Sequence, residues 1–318
     1  MKLLLSTAIL LFATLPAFSQ RKNFKNEFGF RSDNDAYLAY GQDRYYTNGL
    51  FITFRHALPS SPAGSNVLKK IWEAEIGQYM FNAQSGYVPD MRYVDRPFAA
   101  YLYGAAKMNW FTKREQVFQA SLNIGTIGPH ALGEGAQRLL HKMVGFYEVT
   151  GWKYQIDNEM GVNGSFSYSS LLSRPSENAD FSVDGYANIG TTFSGAGGGV
   201  TFRAGKINKL YRSVATNSRI SNNSADTIPQ KEIFFFARPS LHFIAYDATL
   251  QGGIFNDNKG PVTSDPNRLA FSQELGVKYA SDRWTLNFSV IFRTKETSSQ
   301  IHAHQYGSAS IFYRFGRN

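Results

Sequence analysis

A short segment with one histidine carries residues that could do chemistry. Residues 133–145, GEGAQRLLHKMVG, repeat apolar side chains at helical spacing. Wound as a helix, the segment sets Gln137 and His141 four residues apart along the edge of an apolar stripe. The stripe consists of Ala136, Leu139, Leu140, Met143 and Val144. A histidine at such an edge is either a packing or capping residue or a general base.

Two polar segments upstream add oxygen atoms to this chemistry. Residues 33–35, Asp-Asn-Asp, adjoin a strand pattern, and because side chains alternate along a strand, Asn34 and Asp35 cannot both face the same side. A strand end or a bulge is therefore predicted there, with a plain turn as the alternative. Residues 41–49, GQDRYYTNG, offer the Thr47 hydroxyl and an Asp43–Arg44 pair, or else form an ordinary loop.

Together the three segments suit ester hydrolysis. His141 is a general base, and the carboxylate and carbonyl oxygens suit a hard cation. The chain has no cysteine and no Gly-x-Ser-x-Gly motif, so an activated water is favoured over a covalent acyl-enzyme. One histidine and no cysteine make a poor ligand set for zinc, so calcium or magnesium is the favoured cation.

The beginning of the chain predicts export. Residues 1–20, MKLLLSTAILLFATLPAFSQ, combine Lys2, an apolar run over residues 3–15 and small residues at Ala17 and Ser19. We expect a signal peptide at 1–19 and one large domain at 20–318. No later stretch approaches the roughly 18 uninterrupted apolar residues of a spanning helix, so insertion into a membrane would have to use strands.

Alternation of apolar and polar residues dominates the rest of the chain. Residues 284–293, WTLNFSVIFR, and 269–279 show it most clearly, and each such segment is near the 9 to 11 residues of a tilted membrane strand. The pattern predicts about twelve strands, an all-β transmembrane antiparallel barrel, with the short amphipathic helix at the active site. The other predicted strands are 26–33, 47–57, 69–80, 98–110, 118–124, 160–171, 180–190, 196–204, 232–247 and 309–315.

A soluble sandwich or barrel with its apolar face inside is the competing fold. Two features favour lipid on the outside. The other faces of many strands carry Asn, Gln, Ser, Lys and Glu, too many polar groups for a dry core, and aromatic residues crowd the strand ends.

The formal net charge of +9 at pH 7 is compatible with solubility and with attraction to anionic phosphates at a membrane surface. The chain shows no basic cluster, so we expect no nucleic-acid partner for an exported protein.

Four ordered motifs resemble the lipid A 3'-O-deacylases of the outer membrane. Their order and spacing are similar to the family over roughly residues 30–160, whereas the later half is similar only in its strand pattern. The motifs are Asn34-Asp35-Ala36; residues 43–51, DRYYTNGLF; residues 95–99, DRPFA; and Ile127-Gly128-Pro129 through Gln137, His141 and Gly145 to Gly151-Trp152 and Gln155.

The resemblance implies a twelve-stranded barrel in the outer membrane of a Gram-negative bacterium, with lipid A of lipopolysaccharide as substrate and outer-membrane lipids around it. It implies calcium-dependent hydrolysis of the 3' acyl ester, at a site between the barrel wall and a helix that faces the outer leaflet. By the same resemblance, His141 would activate water, Asn34, Asp35 and Thr47 would line the site, and Gln137 would orient the histidine or bind substrate. Asp35 and Thr47 would hold the cation, which would stabilise the oxyanion. We expect a monomer.

Two positions depart from the family pattern. An acidic residue is expected six positions after the histidine, where this chain has Tyr147, with Glu148 next to it. A lysine-rich loop is here residues 85–94, SGYVPDMRYV, with Arg92 as its only cation, which leaves the precise substrate open. Two alternative functions remain: a non-enzymatic porin-like or structural barrel with an open lumen, and an outer-membrane phospholipase that uses the same base and cation.

Overall fold

The computed structural model describes residues 23–38, 43–59, 64–223, 226 and 229–317. The predicted signal peptide at 1–19 lies outside them. Twelve antiparallel strands form a closed barrel in which each strand pairs with the next and β1 pairs with β12. The strands are β1 Phe24–Asn34, β2 Tyr46–Ala57, β3 Val67–Phe81, β4 Ala99–Thr112, β5 Gln116–Ile127, β6 Glu159–Ser176, β7 Ala179–Gly190, β8 Phe193–Lys206, β9 Glu232–Asp247, β10 Leu269–Ala280, β11 Trp284–Arg293 and β12 His304–Arg317.

Alternation along each strand sets which side chains face lipid. In β11, Trp284, Leu286 and Phe288 are exposed, whereas the intervening Thr285 and Ser289 are buried. The apolar face is thus the outer face, as expected for a barrel surrounded by lipid. The prediction of a transmembrane barrel of about twelve strands is confirmed, and the soluble alternative with an apolar interior is wrong.

The inside of the barrel is polar, and near the chain termini its charged side chains form ion pairs. Arg55 contacts Glu27 at 2.8 Å and also pairs with Glu73, and Arg314 contacts Glu27 at 2.8 Å. These side chains are almost completely buried, and each charge has an opposite partner, which offsets the cost of removing it from water.

The long connection between β8 and β9 folds across this end of the barrel. Its Leu210 and Ile220 pack against inward-facing Ile71 and Phe111. Arg219 pairs with Glu232 at 3.1 Å, at the start of β9. The described part of this connection is therefore packed inside the barrel at the end that carries the termini.

The opposite end carries five longer connections, of which the first and the third contain predicted site residues. These are residues 35–45, 82–98, 128–158, 248–268 and 294–303. The connection 128–158 contains helix α1, Gly133–Val144, and 248–268 begins with the short helix α2, Ala248–Gln251. No helix in the described part of the chain is long and apolar enough to cross a membrane.

Helix α1 lies against the outside of the barrel wall. Its Ala136 and Leu140 join a cluster with Leu50, Met80 and Ala100, which alternation places on the outer face of β2, β3 and β4. Gly133 sits so close to this wall that an added Cβ would come within 2.4 Å of the Ala100 Cβ. The helix is therefore positioned by glycine and alanine contacts to lipid-facing strands.

One part of the predicted helix face is wrong. Leu139 and Met143, expected in the packed stripe, are more than half exposed, and the buried face is instead centred on Gln137 and His141. The Val144 side chain lies outside the described ones. On the outer wall of a membrane barrel the surrounding solvent is lipid, so exposed apolar side chains cost little there, and polar side chains take the sheltered face.

Candidate active site

The end of β1 positions the first two site residues. The strand stops at Asn34, whose Oδ1 accepts a hydrogen bond from the Ala36 backbone N–H at 2.7 Å, and a 3-10 helix, Asp35–Leu38, follows. This confirms the predicted strand end. Asp35 then turns into the protein, and its Oδ2 accepts the Arg44 backbone N–H at 2.8 Å.

Thr47 lies between two carboxylates. The pairing of β2 with β3 shifts register between Tyr46 and Asn48. Thr47 therefore lies at an irregularity in the strand pairing, where side chains need not alternate regularly. Its hydroxyl is 3.3 Å from Asp35 Oδ1 and also hydrogen-bonds Asp43 Oδ1. A hydroxyl has one proton to donate, so it satisfies only one of these carboxylates at a time. The second carboxylate needs a proton or a cation.

Asp43 is the centre of the cluster. Its Oδ2 accepts a hydrogen bond from Gln137 Nε2 at 2.6 Å and from the Tyr147 hydroxyl at 3.2 Å, and lies 3.0 Å from His141 Nε2. Sequence reasoning considered Asp43 only as a partner of Arg44 and did not include it among the site residues. Its place four residues before Thr47, within the motif DRYYTNGLF, was the available signal.

His141 has an acceptor at each ring nitrogen. Nδ1 lies 2.7 Å from the Tyr147 backbone oxygen, which can only accept, so Nδ1 carries a proton and Nε2 faces Asp43. The hydrogen bond to Asp43 raises the pKa of His141 above 6.5, and burial partly opposes this. The rings of Phe146 and Tyr147 stand edge-on to the imidazole, 5.5 and 5.2 Å away between centroids. The surroundings thus favour the imidazolium form.

Gln137 is fixed by a tryptophan. The buried Trp152 donates its Nε1–H to Gln137 Oε1 at 2.7 Å, which leaves the Gln137 amide NH₂ to donate to Asp43. Trp152 itself packs edge-on against Phe98, with ring centroids 5.7 Å apart. Gln137 therefore acts on the position of His141 through Asp43.

The oxygen atoms of the cluster suit a hard cation. The pKa of Asp35 is raised to about 8, first by burial and then by the negative charge of Asp43. Asn48, which follows Thr47, and Asn82, whose amide donates to the Asp43 backbone oxygen at 3.2 Å, each have a buried side-chain oxygen without a hydrogen-bond partner. In the described part of the chain no three His, Cys, Asp or Glu side chains form a metal-binding group, so hydroxyl and amide oxygens would have to complete the shell.

Tyr147 occupies the position where the family pattern expects an acid. Its hydroxyl donates to Asp43 and accepts the Gly86 backbone N–H at 3.3 Å, and burial followed by the charge of Asp43 raises its pKa. Glu148 is exposed. In the loop 85–94, Arg92 is exposed and pairs with Asp90 at 3.0 Å.

The motif DRPFA holds the connections together around the site. Asp95 accepts the Tyr45 hydroxyl at 2.7 Å, and Tyr45 is a buried residue at a φ of 56°. That left-handed conformation costs roughly 1 to 2 kcal/mol for a residue with a Cβ, so the contact to Asp95 stabilises a strained turn between Asp43 and Thr47. The buried Arg96 pairs with Glu296 at 2.8 Å, which ties the β3–β4 connection to the β11–β12 connection.

Four of the predicted site residues, Asp35, Thr47, Gln137 and His141, therefore meet at one place, joined by Asp43. Asn34 lies next to Asp35, but its side-chain oxygen is used by the Ala36 backbone. The cluster can hold and transfer a proton at His141 Nε2, and its carboxylate and hydroxyl oxygens are of the type that a hard cation prefers.

Comparisons with known proteins agree with this fold. Residues 3–315 match the family model described as outer membrane protein LpxR. The structure of LpxR from Salmonella typhimurium is similar with a TM-score of 0.73 and 20% identity, over 91% of this chain and 100% of that chain. The β domain of the Bordetella autotransporter BrkA has a TM-score of 0.45 and 10% identity, over 92% of this chain and 99% of that one, too low to carry an argument.

A search of curated proteins found no match. The family match extends over nearly the whole chain, including the half where sequence motifs were weak, and places the barrel in the outer membrane. The chain belongs to the LpxR family of outer-membrane proteins, the lipid A-modifying family that its sequence motifs resemble.

Proposed function

We propose that this protein is an outer-membrane hydrolase that releases the ester-linked acyl chain at the 3' position of lipid A. The observation that carries the proposal is the contact between His141 and Asp43 on the outer wall of the barrel, beside Thr47 and Asp35. A base on the lipid-facing wall is placed for an ester that stays in the membrane. The LpxR family membership supports the same substrate.

The ends of the barrel support a site at the outer leaflet. In bacterial barrels the short turns lie at the periplasmic end and the longer loops outside the cell. Three of the five connections at the end of the chain termini, 113–115, 177–178 and 281–283, are short, whereas the site lies among longer connections at the opposite end. Helix α1 and the cluster would therefore face lipopolysaccharide.

The proton chemistry uses Nε2 of His141. With Nδ1–H bonded to the Tyr147 carbonyl, Nε2 is the nitrogen that gains and loses a proton: the imidazolium donates to Asp43 there, and the neutral imidazole has a lone pair that can accept a proton from water. Nε2 takes a proton from a water that attacks the acyl carbonyl carbon, and Asp43 stabilises the imidazolium that forms. The C–O bond to the sugar oxygen then breaks, and His141 returns the proton to that oxygen. The products are the free fatty acid and the sugar hydroxyl.

The residues fit a divalent cation. Asp35 and Thr47 would hold it, and the unpaired oxygens of Asn48 and Asn82 are available nearby. Calcium, when bound there, would stabilise the negative charge that develops on the acyl oxygen. The pKa of Asp35 is raised to about 8 first by burial and then by the negative charge of Asp43, and a bound cation would offset that negative charge.

Two other functions remain as alternatives. A porin-like barrel requires an open lumen, which the packing of Leu210 and Ile220 against the inner wall disfavours. A phospholipase would use the same histidine and cation, and the geometry of His141 and Asp43 by itself does not separate glycerophospholipid from lipid A.

The test is release of fatty acid by the purified protein in detergent with calcium, from lipid A and from glycerophospholipid in parallel. We expect release from lipid A only, and a loss of at least 100-fold in His141→Ala. His130→Ala is the matched control, because His130 is an exposed histidine on the same connection. Equal rates in His141→Ala and the unaltered protein would overturn the proposal, and release only from glycerophospholipid would identify a phospholipase.

A further inference from the structure

A groove of about 480 Å³ runs along the lipid-facing wall, on the other side of β1 from helix α1. It crosses β10, β11, β12 and β1, and its surface is almost entirely apolar. The outward-facing side chains that shape it include Phe30, Ser32, Tyr37, Phe288, Ala309 and Ile311.

Strand register explains why the wall is hollow here. Ser32 of β1 lies directly opposite Ala309 of β12, so two small side chains form the floor. Phe30 lies opposite Ile311 one step further along the same face, and Phe288 of β11 lies opposite Ala309. Large side chains therefore border a floor of small ones, which leaves a recess in the surface.

Tyr37 forms the roof of the groove. Its hydroxyl donates to Ser32 Oγ at 2.8 Å, which satisfies both polar groups inside an apolar setting. The same residue lies over Gly307, where an added Cβ would come within 2.8 Å of the Tyr37 Cβ. Glycine at 307 is thus what allows Tyr37 to lie against the wall.

The groove begins next to the catalytic cluster. Tyr37 belongs to the same 3-10 helix as Asp35, whose carboxylate contacts Thr47. Asn34 of β1 pairs with Gly307 on the side of the groove and with Asn48 on the side of the cluster around Asp43. One strand, β1, therefore separates the groove from the cluster. From the level of Asn34 to that of Phe30 the floor extends about 13 Å along the strand.

We propose that this groove binds the acyl chain that the enzyme cleaves and sets the chain length that it prefers. The inference rests on the proposed function. The occupant follows from the location, because the groove is part of the lipid-facing wall, where acyl chains are the medium, and begins one strand away from the residues that would hold the ester. A saturated chain fits a largely apolar recess in which the Tyr37 and Ser32 hydroxyls are hydrogen-bonded to each other.

The first experiment fills the floor and measures chain-length selectivity. Ala309→Phe should lower kcat/KM for lipid A with long acyl chains at least tenfold and leave short-chain lipid A within twofold, because each methylene that loses its buried contact costs about fourfold. Ala106→Phe is the control, since Ala106 is an exposed, lipid-facing alanine on β4. Equal effects on both chain lengths, or equal effects of the two variants, would overturn the inference.

The second experiment does not depend on hydrolysis. The chain has no cysteine, so Ala309→Cys and Ala106→Cys each give a single labelling site for a bimane fluorophore. Nitroxide-labelled stearic acid should quench the label at 309 saturably, with recovery on addition of unlabelled palmitic acid, and should quench the label at 106 only in proportion to its concentration. The same quenching at both sites would overturn the proposal that the groove binds an acyl chain. Saturable quenching without any hydrolysis by the unaltered protein would overturn the proposed function alone.

Discussion

His141 Nε2 lies 3.0 Å from Asp43 Oδ2, and the two residues come from different connections at the same end of the barrel. The other ring nitrogen of His141 is occupied by the Tyr147 carbonyl at 2.7 Å. The carboxylate therefore controls the one nitrogen that is free to exchange a proton. Gln137 and Trp152 fix the carboxylate in turn, which links the chemistry to the packing of helix α1.

Removing this carboxylate should change the pH dependence of hydrolysis. The base must be neutral, so activity of the unaltered protein should rise with pH through a pKa above 6.5, because Asp43 raises the pKa of His141. In Asp43→Asn the midpoint of the kcat/KM profile should move down toward 6.5, and kcat should fall by about 10- to 100-fold. Asp90→Asn, in an exposed loop, is the control. An unchanged midpoint in Asp43→Asn would rule out the assigned role.

Docking of helix α1 should depend on one glycine and not on its neighbour. An added Cβ at Gly133 would meet Ala100 and Trp152, at 2.4 and 2.6 Å, whereas nothing lies within 4 Å of one at Gly135. Gly133→Ala should therefore lower activity at least tenfold without changing the thermal unfolding of the barrel. Gly135→Ala should keep full activity and stabilise the helix by up to about 1 kcal/mol. Equal activities of the two variants would contradict the observed packing.

Calcium binding should release a proton from Asp35. Its pKa of about 8 exceeds the ordinary 3.8, so between these pH values the folded protein holds a proton that the unfolded chain releases. Without a cation, stability should fall as pH rises through this range. Calcium affinity should rise over the same range, because the ligand must lose its proton.

Calorimetric titration at pH 7 in two buffers of different ionisation enthalpy measures this release directly. We expect close to one proton per calcium in the unaltered protein and almost none in Asp35→Asn, whose affinity should fall at least tenfold. Affinity that is independent of pH between 6 and 8 would show that Asp35 is not a ligand.

Position 147 should tune cation affinity. Tyr147→Glu places a third carboxylate near Asp43 and Asp35, so it should raise calcium affinity about tenfold and lower the thermal stability of the calcium-free protein. Tyr147→Phe removes the 3.2 Å hydrogen bond to Asp43 and the 3.3 Å hydrogen bond from the Gly86 backbone N–H but adds no charge, so it should change affinity less than threefold. If Tyr147→Glu and Tyr147→Phe bind calcium equally, the added charge does not reach the cation.

The barrel could be predicted because the alternation of apolar and polar residues is a local property of each strand. Alternation in segments such as 284–293 predicts a strand without knowledge of its neighbours, and all twelve predicted segments correspond to strands of the closed sheet. The helix at Gly133–Val144 was equally local, since its period differs from everything around it. The face by which the helix packs could not be predicted locally, because Leu139 and Met143 face outward only when the helix lies outside a lipid-facing wall.

The site was predicted in part. The resemblance to the family motifs indicated Asn34, Asp35, Thr47, Gln137 and His141, but the role of Asp43 depends on contacts with α1 that no local pattern encodes. The strained turn at Tyr45, which carries the chain from Asp43 to Thr47, has the same origin: it is held by Asp95 from another connection. The groove beneath Tyr37 depends on the register of Ser32 with Ala309, which also follows only from strand pairing.

The proposed function requires His141 for removal of the 3' acyl chain of lipid A. The most direct measurement is mass analysis of lipid A from cells that produce the unaltered protein, His141→Ala or His130→Ala at equal levels in the outer membrane. We predict loss of the 3' acyl group with the unaltered protein and with His130→Ala, and intact lipid A with His141→Ala. Intact lipid A in all three strains, or the same loss with His141→Ala, would contradict the claim.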